Sequence, residues 1–116
     1  MIKKAADLSV DLEQNLKGGQ GTVRVINIVE REELYGTGRL LGVSIIPPGG
    51  SIGYHTHTGD FETYYILKGR ARVNDNGTVG ELGPGDMMQC RNGDSHSIEN
   101  AGDVDLEYIA VILYAK

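Results

Sequence analysis

Residues 62–82 read ETYYILKGRARVNDNGTVGEL, and this stretch decides the fold class. Two runs that suit a pleated surface, 62–67 and 70–74, are separated by Gly69. Asp75-Asn76-Gly77 then breaks the pattern before a third run at 78–82. Asn-Gly is a strong hairpin signal, because both central residues of such a turn must tolerate positive φ. The stretch therefore predicts a strand and then a hairpin. Outward from it the same texture continues. Strand patterns at 23–29, 40–46 and 51–57 precede it, and others at 86–90, 95–99 and 105–113 follow. Gly18-Gly19-Gln20-Gly21, Tyr35-Gly36-Thr37-Gly38 and Pro47-Pro48-Gly49-Gly50 punctuate them. Residues 1–16 are mixed in pattern, compatible with a helical turn or an edge strand. Short strands at this spacing, with no long helix, predict an all-β sandwich or barrel.

Composition narrows the function classes. A chain of 116 residues is one domain's worth of protein, able to hold a single core. Its net charge of −5 argues against nucleic acid, since a backbone-binding protein needs surplus Lys and Arg to displace counterions, and against an acidic membrane surface. Apolar runs such as Ile109–Leu113 are too short to span a bilayer. Asp7, Asp11 and Glu13 interrupt what would have to be the apolar region of a signal peptide. One cysteine, Cys90, allows no internal disulfide and suits a reducing compartment. The expectation is a cytoplasmic protein.

The chemistry gathers in three histidines and one acid. His55 and His57 sit one residue apart in a strand-like run, so their side chains share a face. Glu62 follows the break at Thr58-Gly59-Asp60, and His96 follows the turn signal Asn92-Gly93-Asp94. Three imidazoles and one carboxylate with open positions suit a catalytic transition-metal site better than a closed structural one. Fe, Mn, Ni, Co, Cu or Zn would all accept these donors, and the lone thiol argues against an iron–sulfur cluster. The bland alternative is a solvated His-x-His edge, a surface glutamate and a capping or core histidine. Spacing alone leaves both open.

Two motifs bear on that choice. Gly49, His55, His57, Glu62 and Gly69 form the pattern Gly, five residues, His-x-His, four residues, Glu, six residues, Gly. Gly85, Gly93, His96 and Asn100 form a second one, with Arg91 where that pattern has proline. In both, the sequence resembles the cupin superfamily, and more narrowly the small single-domain cupins termed oxalate-decarboxylase-like. The resemblance implies a cupin barrel, a double-stranded β-helix or jelly roll, as one domain over residues 1–116. The barrel would occupy about 23–114 and an N-terminal arm 1–22. It implies His55, His57, Glu62 and His96 as ligands of one divalent metal, with manganese commonest among such proteins. It makes Gly49, Gly69, Gly85 and Gly93 turn residues and Asn100 a structural hydrogen-bonding group. It also implies a homodimer. One departure concerns the substrate: oxalate decarboxylases carry an arginine three residues before the first ligand histidine, where this chain has Ile52.

Other residues carry weaker expectations. Tyr64 and Ile66 share parity with Glu62 and should face the same cavity. Tyr64 is a candidate acid or substrate contact, and more readily a cavity wall. Arg39 is a candidate partner for a substrate carboxylate, or else part of a solvated rim. Met87 and Met88 are expected to fill the barrel, Cys90 to be a small buried hydrophobe, and Lys68, Arg70 and Arg72 to form a solvated face. The leading functional expectation is a metalloenzyme of decarboxylase, dioxygenase, isomerase or lyase type, acting on a small carboxylate or enediol-like molecule. No general base is evident. The alternative from another class is a non-catalytic sensor or binding module that grips a small ligand through its metal. A barrel without metal ranks third.

Overall fold

The computed structural model describes residues 1–116. Ten strands run in order: β1 (Val10–Gln14), β2 (Thr22–Asn27), β3 (Gly38–Ile46), β4 (Ser51–Thr56), β5 (Asp60–Lys68), β6 (Ala71–Asp75), β7 (Thr78–Leu82), β8 (Met87–Cys90), β9 (Ser95–Asn100) and β10 (Leu106–Tyr114). They form two antiparallel sheets, one ordered β1-β2-β3-β10-β5-β8 and the other β4-β9-β6-β7. Sequence neighbours such as β3 and β4, or β8 and β9, lie in different sheets, which is the jelly-roll arrangement expected from the sequence.

Alternation along the strands puts the core between the sheets. On β5, Asp60, Glu62, Tyr64 and Ile66 are buried, while Tyr65, Leu67 and Lys68 are exposed. On β10 the inward set is Leu106, Tyr108, Ala110 and Ile112, and on β9 it is His96, Ile98 and Asn100. Ile46, Ile66, Val73, Met88, Ile98 and Leu106 fill the apolar part. One such face carries both the core and the polar site, and position along the strand decides which.

Gly69 shows why glycine is needed at its turn: its φ is +89° and an added Cβ would lie 2.8 Å from the Asp105 carbonyl oxygen. Asn100 has the structural role expected of it. Its Nδ2 donates to the carbonyls of Ile46 (2.9 Å) and Val104 (2.7 Å), and its Oδ1 accepts from the Gly102 amide at 2.8 Å. Lys68, Arg70 and Arg72 do form an exposed face, paired with Glu107, Glu81 and Glu99.

Two expectations need correction. The strand predicted over 23–29 stops at Asn27, because the chain bends at Ile28 and Val29 into a 3₁₀ turn at Arg31–Leu34. That turn is closed by a capping box in which the Glu30 amide donates to Glu33 Oε1 at 2.6 Å. Met88 is buried in the core, but Met87, of opposite parity, is half exposed and fills nothing. Residues 1–16, read as a helical turn or an edge strand, contain both: a turn at Ala5–Asp7 and the edge strand β1, whose five residues are all exposed.

Candidate metal centre

The two sheets bring four donors together from separate elements. β4 and β9 pair with His55 opposite His96, after a register irregularity between Ile52 and His55. His57 lies one residue past β4, held there by its amide donating to the Asp94 carbonyl at 3.0 Å. Glu62 comes from β5 in the facing sheet. One ligand atom from each of His55, His57, Glu62 and His96 lies within 4.8 Å of all the others. The closest pairs are His57 Nε2 to His96 Nε2 (3.1 Å), His96 Nε2 to His55 Nε2 (3.2 Å), and Glu62 Oε1 to the Nε2 atoms of His57 (3.1 Å) and His96 (3.2 Å).

These spacings fit a metal ion. Metal–nitrogen bonds of about 2.0–2.2 Å at right angles place neighbouring donors about 3 Å apart. The tautomers agree. His55 Nδ1 donates to the Gly53 carbonyl at 2.7 Å, and His57 Nδ1 donates to Asp60 Oδ1 at 2.7 Å, so each Nε2 keeps a lone pair toward the cluster. His96 is fully buried and its Nδ1 has no partner, so Nε2 is its one engaged atom. Imidazole lone pairs crowded around one point in a buried site need a cation between them. The His₃–Glu cluster has the donor set and the spacing for one.

Electrostatics favour the ligating forms of Glu62 and His55, whereas His57 is held toward its protonated form until a metal takes the place of that proton. Burial alone would raise the Glu62 carboxyl, but hydrogen bonds from His57 and His96 outweigh it and hold it down at about 2. The hydrogen bond to Glu62 raises His57, with burial opposing and Asp60 assisting. Burial lowers His55, favouring its neutral form.

Behind the donors stands a support that the sequence did not reveal. Asp60 Oδ2 accepts from Arg39 Nε at 2.9 Å, while Oδ1 holds His57. Arg39 and Asp60 therefore form a relay that orients one ligand, as carboxylate–histidine–metal arrangements do. Burial would raise the Asp60 carboxyl, yet Arg39 and His57 together keep it below its usual range. Arg39 thus spends its Nε on Asp60 and is no loose rim charge. The spacing of Asp60 three residues after His57 was the available signal, masked by the turn-like Thr58-Gly59 beside it.

A cavity of about 290 Å³ opens onto the cluster. Tyr64 and Tyr108 form its buried wall, with Tyr64 stacked on His96 at 5.3 Å and tilted against Tyr108 at 4.6 Å. The Tyr64 hydroxyl donates to Glu62 Oε1 at 3.1 Å, and burial raises its pKa well above the usual phenol value. Ile66, expected beside Tyr64, is buried in the apolar core. Cys90 pairs in register with Glu62, is buried, and has its thiol raised to about 11 by burial. Asp11, Glu13, Leu16 and Lys17 bring the N-terminal segment to the cavity mouth.

Comparison with known proteins agrees with this architecture. Residues 42–112 match the family model described as "Cupin domain". An "Oxalate-binding protein" of Thermotoga maritima is 38% identical over 113 residues, covering 97% of this chain and 93% of that protein. The crystal structure of a predicted oxalate decarboxylase from Thermotoga maritima superposes with a TM-score of 0.93 at 37% identity, covering 99% of this chain and all of the other. The Schizosaccharomyces pombe Cnp3 cupin domain shares the fold at 19% identity, with a TM-score of 0.74, over 92% of this chain and 70% of that one. The match over residues 42–112 and the near full-length relative together establish that the chain belongs to the cupin family.

Proposed function

We propose that this cupin binds a small carboxylate, of the size and charge of oxalate, through one divalent metal held by His55, His57, Glu62 and His96. The observation that carries the reading is the four-donor cluster at the base of a cavity of about 290 Å³, room for a molecule of a few heavy atoms. A bound ion supplies Lewis acidity and open coordination positions for ligand oxygens. The chain's own residues orient and enclose. Asp60 and Gly53 fix two imidazoles, Tyr64 holds its proton on Glu62, and Ile52, Leu40 and Ile112 keep the approach apolar. The oxalate-binding relative supports the ligand class. Manganese is the proposed ion, on the family resemblance. The reading includes one domain over residues 1–116, with no nucleic-acid or membrane partner. The net charge of −5 supports that, and no helix is long and apolar enough to cross a membrane. A cytoplasmic location suits the free buried thiol. A homodimer suits the exposed edge strand β1, whose Val10 and Leu12 are half or more exposed.

Binding without turnover takes precedence over catalysis because the buried wall beside the four donors offers no free acid–base group. Both tyrosines have raised pKa values, burial being the main cause, and Arg39 is committed to Asp60. The enzymatic reading stays as second, favoured by the Tyr64 hydroxyl 3.1 Å from Glu62, a proton donor beside the ligands. Calorimetric titration of manganese-loaded protein with oxalate tests the first reading. Saturable one-to-one binding that vanishes after chelation is expected, and binding indifferent to metal would refute it. Release of carbon dioxide or formate from oxalate would promote the second reading over the first.

A further inference from the structure

Two cations line the cavity, Arg39 and Lys17. Arg39 is bound to Asp60, whereas Lys17 has no carboxylate within ion-pair distance. Lys17 sits in the short turn Leu16–Gly18 with φ +55° and ψ +31°, the left-handed region that straight-chain residues seldom adopt. Asn15, two residues before it, is also left-handed at φ +51°. The turn is built rather than loose. The Gly18 amide donates to Asn15 and the Gly19 amide to Leu16, each at 3.0 Å. Gln20 exchanges two hydrogen bonds with Ser51, its amide donating to Ser51 Oγ and its carbonyl accepting from the Ser51 amide, both at 2.9 Å. The Lys17 carbonyl packs against Gly53 so closely that any side chain at 53 would collide with it. Gly53 is the residue whose carbonyl orients His55. A strained lysine is thus clamped against the strand that supplies the first histidine, at the mouth of its cavity.

We propose that Lys17 is the residue that anchors the anionic end of the ligand, giving the cavity its selectivity for a dicarboxylate over a monocarboxylate. This rests on the carboxylate reading above. The charge balance calls for such a group. Glu62 lies at the base and Asp11 and Glu13 at the mouth, with Asp11 taken up by Asn27 and Glu13 unpaired. A dianion entering past these carboxylates meets one uncommitted cation among the lining residues, Lys17, exposed on its turn, whose flexible four-carbon stem lets the ammonium reach toward the ligand.

The test is calorimetric titration of the full, manganese-loaded chain with oxalate and with acetate, in wild type, K17M, K17R, E13Q and K68M. K17M keeps a straight-chain residue in the turn. It should hold as much manganese as wild type and weaken oxalate about tenfold, with acetate changed by less than about twofold. K17R should keep most of the oxalate affinity. K68M, the same charge change on the far exposed face, should leave it unaltered. E13Q, which leaves the turn intact, should tighten oxalate by about twofold or more and does not depend on K17M folding. The dependence of oxalate affinity on salt should flatten in K17M, an effect that a merely structural role would not produce. Wild-type binding with a folded K17M unchanged overturns the Lys17 assignment alone, as does E13Q unchanged where K17M does not fold. No oxalate binding by the wild type overturns the carboxylate reading and this assignment with it.

Discussion

Replacing Asp60 by asparagine should separate metal affinity from fold stability. The Asp60 carboxylate accepts from His57 Nδ1 at 2.7 Å and from Arg39 Nε at 2.9 Å. Asparagine keeps the shape but has one acceptor and one donor end. If its oxygen faces His57, its amide group faces the Arg39 guanidinium, donor against donor; if reversed, His57 loses its tautomer lock. Either way His57 Nε2 becomes a poorer ligand. Outer-shell partners of this kind are worth about 10–100-fold in metal affinity, or about 1.4–2.7 kcal/mol. The cost to the metal-free fold is smaller, since the Arg39 side chain is 40% exposed and water can solvate it. R39Q should weaken the metal less than D60N, because Arg39 acts only through Asp60. Competition against a fluorescent chelator measures the affinity, and thermal melting followed by circular dichroism measures the metal-free fold. D60N binding metal within about twofold of wild type would refute the relay. So would R39Q costing as much as D60N.

The Glu62 carboxyl, held near 2 against an ordinary 4.5, stabilises the metal-free fold fully above about pH 4.5 and progressively less as pH falls toward 2. Worth about 3 kcal/mol at neutral pH, this contribution should make the melting-temperature gap between wild type and E62Q shrink through that window; a constant gap would count against it. Asn100→Ala removes three hydrogen bonds from a buried site and should cost about 2–4 kcal/mol in urea denaturation, with metal content unchanged in the folded fraction. A loss under about 1 kcal/mol would show those bonds to be dispensable. Cys90, buried and raised to about 11, should resist iodoacetamide at pH 8 in the native protein and react fully in denaturant, as read by mass spectrometry. Rapid native labelling would contradict its burial.

The donors were legible in the sequence because strand parity and motif spacing both act over short distances. Glu62 and Tyr64 face inward where parity puts them, His55 and His57 reach one cluster as their shared parity asks, and Gly69 turns the chain where the pattern asked for glycine. The supports were not legible. Arg39 and Asp60 are 21 residues apart and meet only because β3 and β5 both pair with β10. Lys17 reaches the cavity from a segment whose strand is exposed on all five residues, leaving no periodicity to read. Ile28 and Val29 continue the apolar run of β2 without continuing the strand, since composition cannot say where pairing with β3 ends. Met87 misled for a simpler reason: of two adjacent methionines on a strand, only one can face the core.

Elemental analysis tests most directly whether one ion is held by these four residues. Protein expressed in manganese-supplemented medium, and purified without a metal-binding tag, should carry about one equivalent of divalent metal per chain. H96A, which removes the donor with three close neighbours in the cluster, should carry almost none. Wild-type protein with less than about half an equivalent, or H96A retaining a wild-type load, would contradict the assignment.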